Sequence, residues 1–346
     1  MNSWRRCRSL KPRNWSSPVR THIAYELTHC PICDGAETRE IASREEMQRE
    51  VEALWAFHQR RLRASVPSER LTDRVAFSQY APVRLVQCTR CSHVYRNPQE
   101  RETALADAYV NTPSDASLFA ALFETQRAAY RAQATRLTQF VGRAGRGLEV
   151  GSYVGGFLAA ARERGWQFHG VDVSQAAAAY AMRRGFAVTT GTLADVVTST
   201  PFDVVAIWNT FEQLPDVRVA CHAARRILRD GGTLVVRVPN GAFYVPWHRR
   251  FHRGGVIARR MAEQVLAHNN LLTFPYRQGF THASLSRLLR ESGFEIVHVY
   301  GDTLVPVADE WTTRYGAVEE RVVKRLLRVV RRGWSAPWVE VFARVT

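Results

Sequence analysis

Four cysteines stand as two pairs of identical internal spacing, Cys30-Pro-Ile-Cys33 and Cys88-Thr-Arg-Cys91, with 54 residues between the pairs. Two residues between ligands let both sulfurs of a pair converge while neighbouring amides screen their charge, so the quartet suits tetrahedral zinc. An all-thiolate set leaves no open position for water, and such an ion would stabilise this segment rather than do chemistry. A redox dithiol needs one pair in a strand-to-helix context that neither pair has, and coincidental core cysteines are the bland alternative. Cys7 reads as an idle thiol and Cys221 as a core residue.

A second constellation is the turn Leu148-Glu149-Val150-Gly151-Ser152-Tyr153-Val154-Gly155-Gly156-Phe157, followed by a helical run and then Val171-Asp172-Val173. A strand ending in glycine lets a ligand approach the backbone, and ligands of open parallel sheets bind at the carboxyl ends of strands. The dinucleotide pattern G-x-G-x-x-G fails, because its second glycine would fall at Tyr153. Glu149 just before the turn repels a pyrophosphate but attracts an ammonium. Asp172, closing the next strand, can take both hydroxyls of a ribose.

An ammonium, a ribose and an adenine together describe S-adenosylmethionine, and residues 115 to 300 resemble the class I S-adenosylmethionine-dependent methyltransferases. The resemblance implies a Rossmann-like α/β fold. It puts Glu149, Gly151 and Ser152 at the amino-acid end of the cofactor, Gly155 along the turn, Asp172 on the ribose and Val173 beside the adenine. Gly191-Thr192-Leu193 occupies the place where many members carry an acid near the adenine amine; here Thr192 and Leu193 stand instead. FDVVAIWNTFEQLPD looks like the family segment N-x-L-E-H-L-P-D, so Asn209, Thr210 and Phe211 would face the cofactor and Glu212 the substrate pocket. The frequent family histidine is Gln213, which takes no proton at neutral pH. LRDGGTLVVRVPN and THASLSRLLRESGFEIVHV resemble the following family segments. HCPICDG with VRLVQCTRCSHVYRNP resembles the zinc-binding N-terminal region of a bacterial subgroup that includes sugar C-methyltransferases, although the insertion between the pairs is longer here.

The elements that must position these residues follow from periodicity. Short apolar runs at GLEVG, FHGVDVS, FAVTTG, FDVVAIWN, GTLVVRVPN and FEIVHVY read as strands, with Phe157 to Arg164, Gln175 to Arg184, Val217 to Arg229 and Ala283 to Ser292 as intervening helices. Strands buried on both faces between helices imply a mainly parallel sheet. WVEVFARV from Trp338 reads as a last, antiparallel strand at the sheet's end. Residues 1 to 20 read as a disordered basic tail. Residues 21 to 100 form the cysteine module with a helical insertion over Glu37 to Arg70, 101 to 141 a helical lead-in, and 101 to 300 the methyltransferase domain. Residues 301 to 346 hold a basic amphipathic helix and the final strand. Between Gly241 and Gly279 the alternation breaks into an aromatic and basic stretch where this fold varies its acceptor pocket. His248 and Tyr276 there, with His282 just beyond, are the candidate base or acceptor-positioning residues, and Arg249, Arg250 and Arg253 the candidate anion grip.

Lys and Arg number 48 against 32 Asp and Glu, a formal charge of +16, and all but Lys11 and Lys324 of the cations are arginine. That bias reflects base composition as readily as phosphate binding. There is no run of apolar residues long enough to span a bilayer and no secretory signal, so the expected location is cytoplasmic. The expected enzyme methylates a small molecule, a sugar or another specialised metabolite. Nucleic acid is an unfavoured partner: an RNA methyltransferase is the first rival, a non-catalytic binding protein the second. The stripe Val318, Val322, Val323, Leu326, Leu327 and Val330 is expected to pack on the enzyme, with weak membrane-surface or partner contact as the alternative.

Overall fold

A computed structural model describes residues 25–66, 83–100, 116–273, 277–303, 312–330 and 333–346. The expected tail at 1 to 20, residues 101–115 of the lead-in and Tyr276 lie outside the described residues. In chain order the N-terminal elements are β1 (Tyr25–Glu26), β2 (Thr38–Ala42), α1 (Arg44–Gln59), β3 (Arg84–Cys88), β4 (Val94–Asn97) and β5 (Gln99–Glu100). Helix α2 (Ala116–Val141) follows, then β6 (Arg146–Val150), α3 (Gly156–Arg162), β7 (Gln167–Asp172), α4 (Gln175–Arg183) and β8 (Val188–Thr190). The chain continues through β9 (Phe202–Trp208), α5 (Val217–Ile227), β10 (Leu228–Pro239), α6 (Gly241–Arg253), α7 (Val256–His268) and β11 (Gln278–Gly279). Last come α8 (His282–Glu291), β12 (Phe294–Asp302), α9 (Arg314–Val330) and β13 (Trp338–Val345).

Seven strands form the main sheet in the order β12-β13-β10-β9-β6-β7-β8. β10, β9, β6, β7 and β8 pair in parallel, while β13 is antiparallel to both β10 and β12. Period-two alternation divides the apolar side chains between two faces. Leu148, Val205, Ile207 and Val236 pack with α5 and α8 residues such as Ala224 and Leu288. Val204, Ala206 and Val235 pack with Phe157, Leu158 and Phe123 from α3 and α2. β13 stands one place in from the edge rather than at it, because it is buried along nearly its whole length while the alternating, half-wet β12 takes the edge. After β6 the chain fills one side of the sheet and then crosses to β9 on the other, which opens a crevice at the carboxyl ends of β6 and β9.

The cysteines lie in a second, antiparallel sheet of order β11-β4-β3-β2. Its edge strand β11 comes from far along the chain, with Gln278 opposite Tyr95 and Gly279 opposite Val94. The insertion is helical only from Arg44; Thr38–Ala42 is a strand because β3 offers it a ladder and Ile41 and Ala42 are buried there. Ser43 starts α1 through a capping box with Glu46.

The stretch read as irregular from Gly241 is a helical pair, α6 and α7. Asn240 caps α6 by accepting from the Ala242 amide at 3.0 Å, and the Gly254-Gly255 break separates the helices. α9 reverses the expected arrangement in part. Tyr315, Val318, Val322 and Leu326 are exposed at 78, 56, 53 and 60%. Its inward face carries Glu320 and Lys324, 2.5 Å apart and buried, with Arg61 of α1's end donating to Glu320 at 3.1 Å and to the Gly316 carbonyl at 2.7 Å. Among the described residues no helix is long and apolar enough to cross a membrane.

Candidate functional site

Strand β6 ends at Val150, and the chain turns on three positive φ angles, 73° at Gly151, 46° at Tyr153 and 83° at Gly155, before entering α3. The amides of Gly151 and Ser152 both donate to the Val171 carbonyl, at 2.8 and 3.2 Å, which fastens this turn to the end of β7. A methyl group on Gly151 would lie 2.4 Å from Thr210 Oγ1, so the turns after β6 and β9 abut with no room for a side chain between them. Asp172 ties the next turn in: its Oδ2 accepts from the Tyr153 amide at 2.7 Å and its Oδ1 from the Ser174 amide at 2.8 Å. Burial raises the Asp172 carboxyl pKa against the pull of those two amides. Val173 beside it is half-buried.

Glu149 is fully buried, and its Oε2 has no hydrogen-bonding partner. Burial, and then the charge of Asp172, push its carboxyl well above the usual range. Ser152 Oγ is likewise buried without a partner. A buried acceptor of this kind costs free energy until a donor reaches it. Asn209, at φ 54°, accepts from Arg237 through its side-chain oxygen and donates to Tyr130 Oη at 3.3 Å. Arg237 is itself buried and paired with Asp302 at 3.3 Å. The Thr192 amide and hydroxyl bind Asp195 Oδ2 at 2.8 and 2.7 Å. An acid therefore stands at this turn after all, three residues later than expected, and the T-x-x-D capping pattern is the signal that would have found it. Leu193 is buried beneath the turn.

After β9, Phe211 packs on Phe280 at 5.2 Å, and Glu212 next to it is completely buried, with the Gln213 side chain beside its carboxylate. Burial raises Glu212 to about 7, with its own amide and the Arg237 charge opposing. The buried Tyr244 phenol of α6 is pushed up by burial and then by the Glu212 charge. Tyr244 leans over Gly279, where any side chain would strike its hydroxyl. Tyr244 lies in the Gly241 to Gly279 stretch that the sequence assigns to a variable acceptor pocket, whereas β11 carries no sequence signal of a strand.

The histidines expected there are placed differently. His248 is fully buried, with Nδ1 2.6 Å from Glu50 Oε1 and Nε2 3.0 Å from the Leu271 carbonyl, so both ring nitrogens are engaged inside the protein. His282 is exposed at the start of α8, with its ring 4.7 Å from Trp334. Arg250 and Arg253 are exposed and Arg249 half-buried, Arg250 lying over Trp247.

The four cysteine sulfurs converge, all within 4.8 Å of one another, with Cys30 to Cys91 at 3.5 Å and Cys33 to Cys88 at 3.6 Å. Sulfurs 2.3 Å from a central zinc lie about 3.8 Å apart on a tetrahedron, whereas a disulfide needs about 2.05 Å. The two knuckles share one local design: Asp34 donates back to Cys30 and Ser92 back to Cys88, each at positive φ. The hydrogen bond from Cys91 pulls Cys30 down to about 5, so one thiolate is already favoured in the cluster. These residues fit a tetrahedral metal ion.

A family model described as a methyltransferase domain matches residues 123–299, just over half of the chain and the whole of the crevice. The chain belongs to this methyltransferase family. The enzyme is therefore an S-adenosylmethionine-dependent methyltransferase, and the buried Glu149 Oε2 and Ser152 Oγ stand without partners within the matched segment. Among solved structures, the methyltransferase is similar to an S-adenosylmethionine-dependent methyltransferase of Thermotoga maritima described as a possible histamine N-methyltransferase, at 21% identity over 70% of this chain and 98% of that one, TM-score 0.43. It is also similar to magnesium protoporphyrin IX methyltransferase of Synechocystis with bound S-adenosylhomocysteine, at 9% identity over 71% and 100%, TM-score 0.43. A third is the N-methyltransferase NodS of Bradyrhizobium japonicum, at 17% over 64% and 96%, TM-score 0.38. No curated protein matches the chain.

Proposed function

We propose that this methyltransferase acts on a small polar acceptor, a sugar or another specialised metabolite, and that Glu212 receives the proton that acceptor loses. The observation that carries this reading is the completely buried Glu212 carboxylate beside the Thr210 turn, which burial raises to about 7. A base works best when its pKa lies near the working pH. S-adenosylmethionine supplies an electrophilic methyl group. Glu149 and Ser152 hold the amino-acid end, Asp172 the ribose hydroxyls with its remaining lone pairs, and Asp195 offers an acceptor at the adenine end. Phe211 and Phe280, both completely buried, pack against each other beside Glu212. Zinc on Cys30, Cys33, Cys88 and Cys91 would brace the sheet that carries β11.

The test is to incubate the protein with methyl-labelled S-adenosylmethionine and host extract split into small-molecule, lipid, RNA and protein fractions, with Asp172→Ala and Glu212→Gln as controls. Label in the small-molecule fraction, lost in Asp172→Ala and much reduced in Glu212→Gln, supports the reading. Label in RNA overturns the acceptor class, and unchanged turnover in Glu212→Gln overturns the assignment of the base.

A further inference from the structure

Glu50 on α1 meets His248 and His252 of α6 across 198 and 202 residues of sequence. The two histidines are one helical turn apart, which sets both rings on one face. His248 Nδ1 and His252 Nε2 each lie 2.6 Å from the same oxygen, Glu50 Oε1, and none of the three side chains is more than 2% exposed. Two of the remaining atoms are anchored by backbone: Glu50 Oε2 accepts from the Thr273 amide at 2.7 Å, and His248 Nε2 meets the Leu271 carbonyl at 3.0 Å.

A carbonyl only accepts, so Nε2 of His248 carries the hydrogen, and the neutral ring then turns a bare lone pair at Nδ1 toward a carboxylate oxygen. Two acceptors face each other, and only a positive species between them, a proton or a metal ion, makes the contact favourable. A proton there gives a buried ion pair or a neutral acid–imidazole pair, whereas a metal ion draws all three side chains onto one centre. Ligating histidines give their other N–H to a carbonyl or carboxylate, and ligating carboxylates are themselves hydrogen-bonded, and both supports are present here.

We propose that Glu50, His248 and His252 form a second metal site, separate from the cysteine quartet, for a borderline divalent ion such as Zn(II). Two imidazoles and one carboxylate favour such an ion over Mg(II) or Ca(II). Bond lengths of about 2.0–2.2 Å set neighbouring ligand atoms about 3.3–3.6 Å apart on a tetrahedron, so the trio opens by about 0.7–1.0 Å to admit it. The ion pins α1 to α6 one turn beyond Tyr244, whose ring lies 5.5 Å from His248. It thereby fixes the helix that faces Glu212.

The full chain is loaded with excess Zn(II) or Co(II), desalted and assayed for metal per chain, in the wild type and in His252→Gln, which keeps a donor to Glu50 but removes the ligand nitrogen. Co(II) on the quartet shows thiolate-to-cobalt charge transfer in the ultraviolet, whereas Co(II) on the trio does not. The expected result is one wild-type equivalent without thiolate charge transfer that His252→Gln abolishes while circular dichroism is unchanged. A wild type that lacks this equivalent overturns the proposal whatever the variant does. Its persistence in folded His252→Gln overturns it equally, and neither outcome depends on whether the quartet binds zinc.

Discussion

Replacing Gly151 with alanine sets a methyl group 2.4 Å from Thr210 Oγ1 and 2.8 Å from its methyl carbon, on a backbone at φ 73°. The left-handed conformation costs a residue with a side chain about 1–2 kcal/mol. Forcing the methyl against Thr210 adds about 1–3 kcal/mol, as overpacking of a filled site does. The total for Gly151→Ala is thus about 2–5 kcal/mol. Thr210→Ala removes both offending atoms and leaves only its Cβ, at 3.0 Å, so on that background the cost of Gly151→Ala falls to the backbone part. The double-mutant cycle, read by urea unfolding of the four proteins at one pH, is expected to show about 1–3 kcal/mol of coupling. Calorimetric titration with S-adenosylhomocysteine is expected to show Gly151→Ala binding at least tenfold more weakly, about 1.4 kcal/mol. Coupling under about 0.5 kcal/mol, the scatter of independent sites, would refute the claim that the two turns abut.

Because Glu212 is raised to about 7 in the fold, its contribution to stability is fully present below the ordinary carboxylate range and is lost as pH rises through about 7. Glu212→Gln is therefore expected to match the wild type near pH 4 and to exceed it by up to about 3 kcal/mol at pH 8, measured by chemical unfolding across pH. The same ionisation makes wild-type kcat rise through pH 7, and a Glu212→Gln profile that keeps this rise would exclude Glu212 as its source. Asp172→Asn turns an amide NH2 toward the Tyr153 or Ser174 amide; a stability loss of about 1–3 kcal/mol is expected with weaker cofactor binding, by thermal melting with and without S-adenosylhomocysteine. Arg237→Met leaves Asp302 and Glu340 with Arg136 as their one remaining arginine and is expected to cost about 3 kcal/mol in urea unfolding. Cys88→Ser should remove one bound metal equivalent and lower the melting temperature by several degrees, an effect that chelation of the wild type should reproduce.

The parallel strands were legible because burial on both faces makes each a continuous apolar run, as in FDVVAIWN and LVVRV. The turns after β6 and β7 were legible because glycines and acids recur in one order at strand ends. What escaped had no local signal. Pro246 and the aromatics of α6 mask its helical period, and the burial of Tyr244, His248 and Phe251 at its core appears only once α1 packs on it. Asp195 is the exception, since the T-x-x-D capping pattern marks it locally. The inward charged face of α9 contradicts simple amphipathic reasoning, since the Arg61 that neutralises Glu320 lies 259 residues away. β11 is two residues long, too short for any pattern to mark it as a strand.

That two-residue strand has a consequence for how such an enzyme changes over time. The stretch leading into α8 is where a methyltransferase would be remodelled to accept a new molecule, yet here Gln278 and Gly279 also complete the sheet that holds the cysteines. Gln278 further binds the Leu214 carbonyl at 2.9 Å, just past Glu212, so the same residue touches both halves. Arg218 of α5 reaches back to the Ile32 carbonyl between the first two cysteines. The N-terminal segment is thus not a detachable appendage that can be traded between enzymes. A graft that replaces the acceptor loop without it, or it without the loop, leaves an unpaired sheet edge, so the two are expected to be inherited and engineered as one piece.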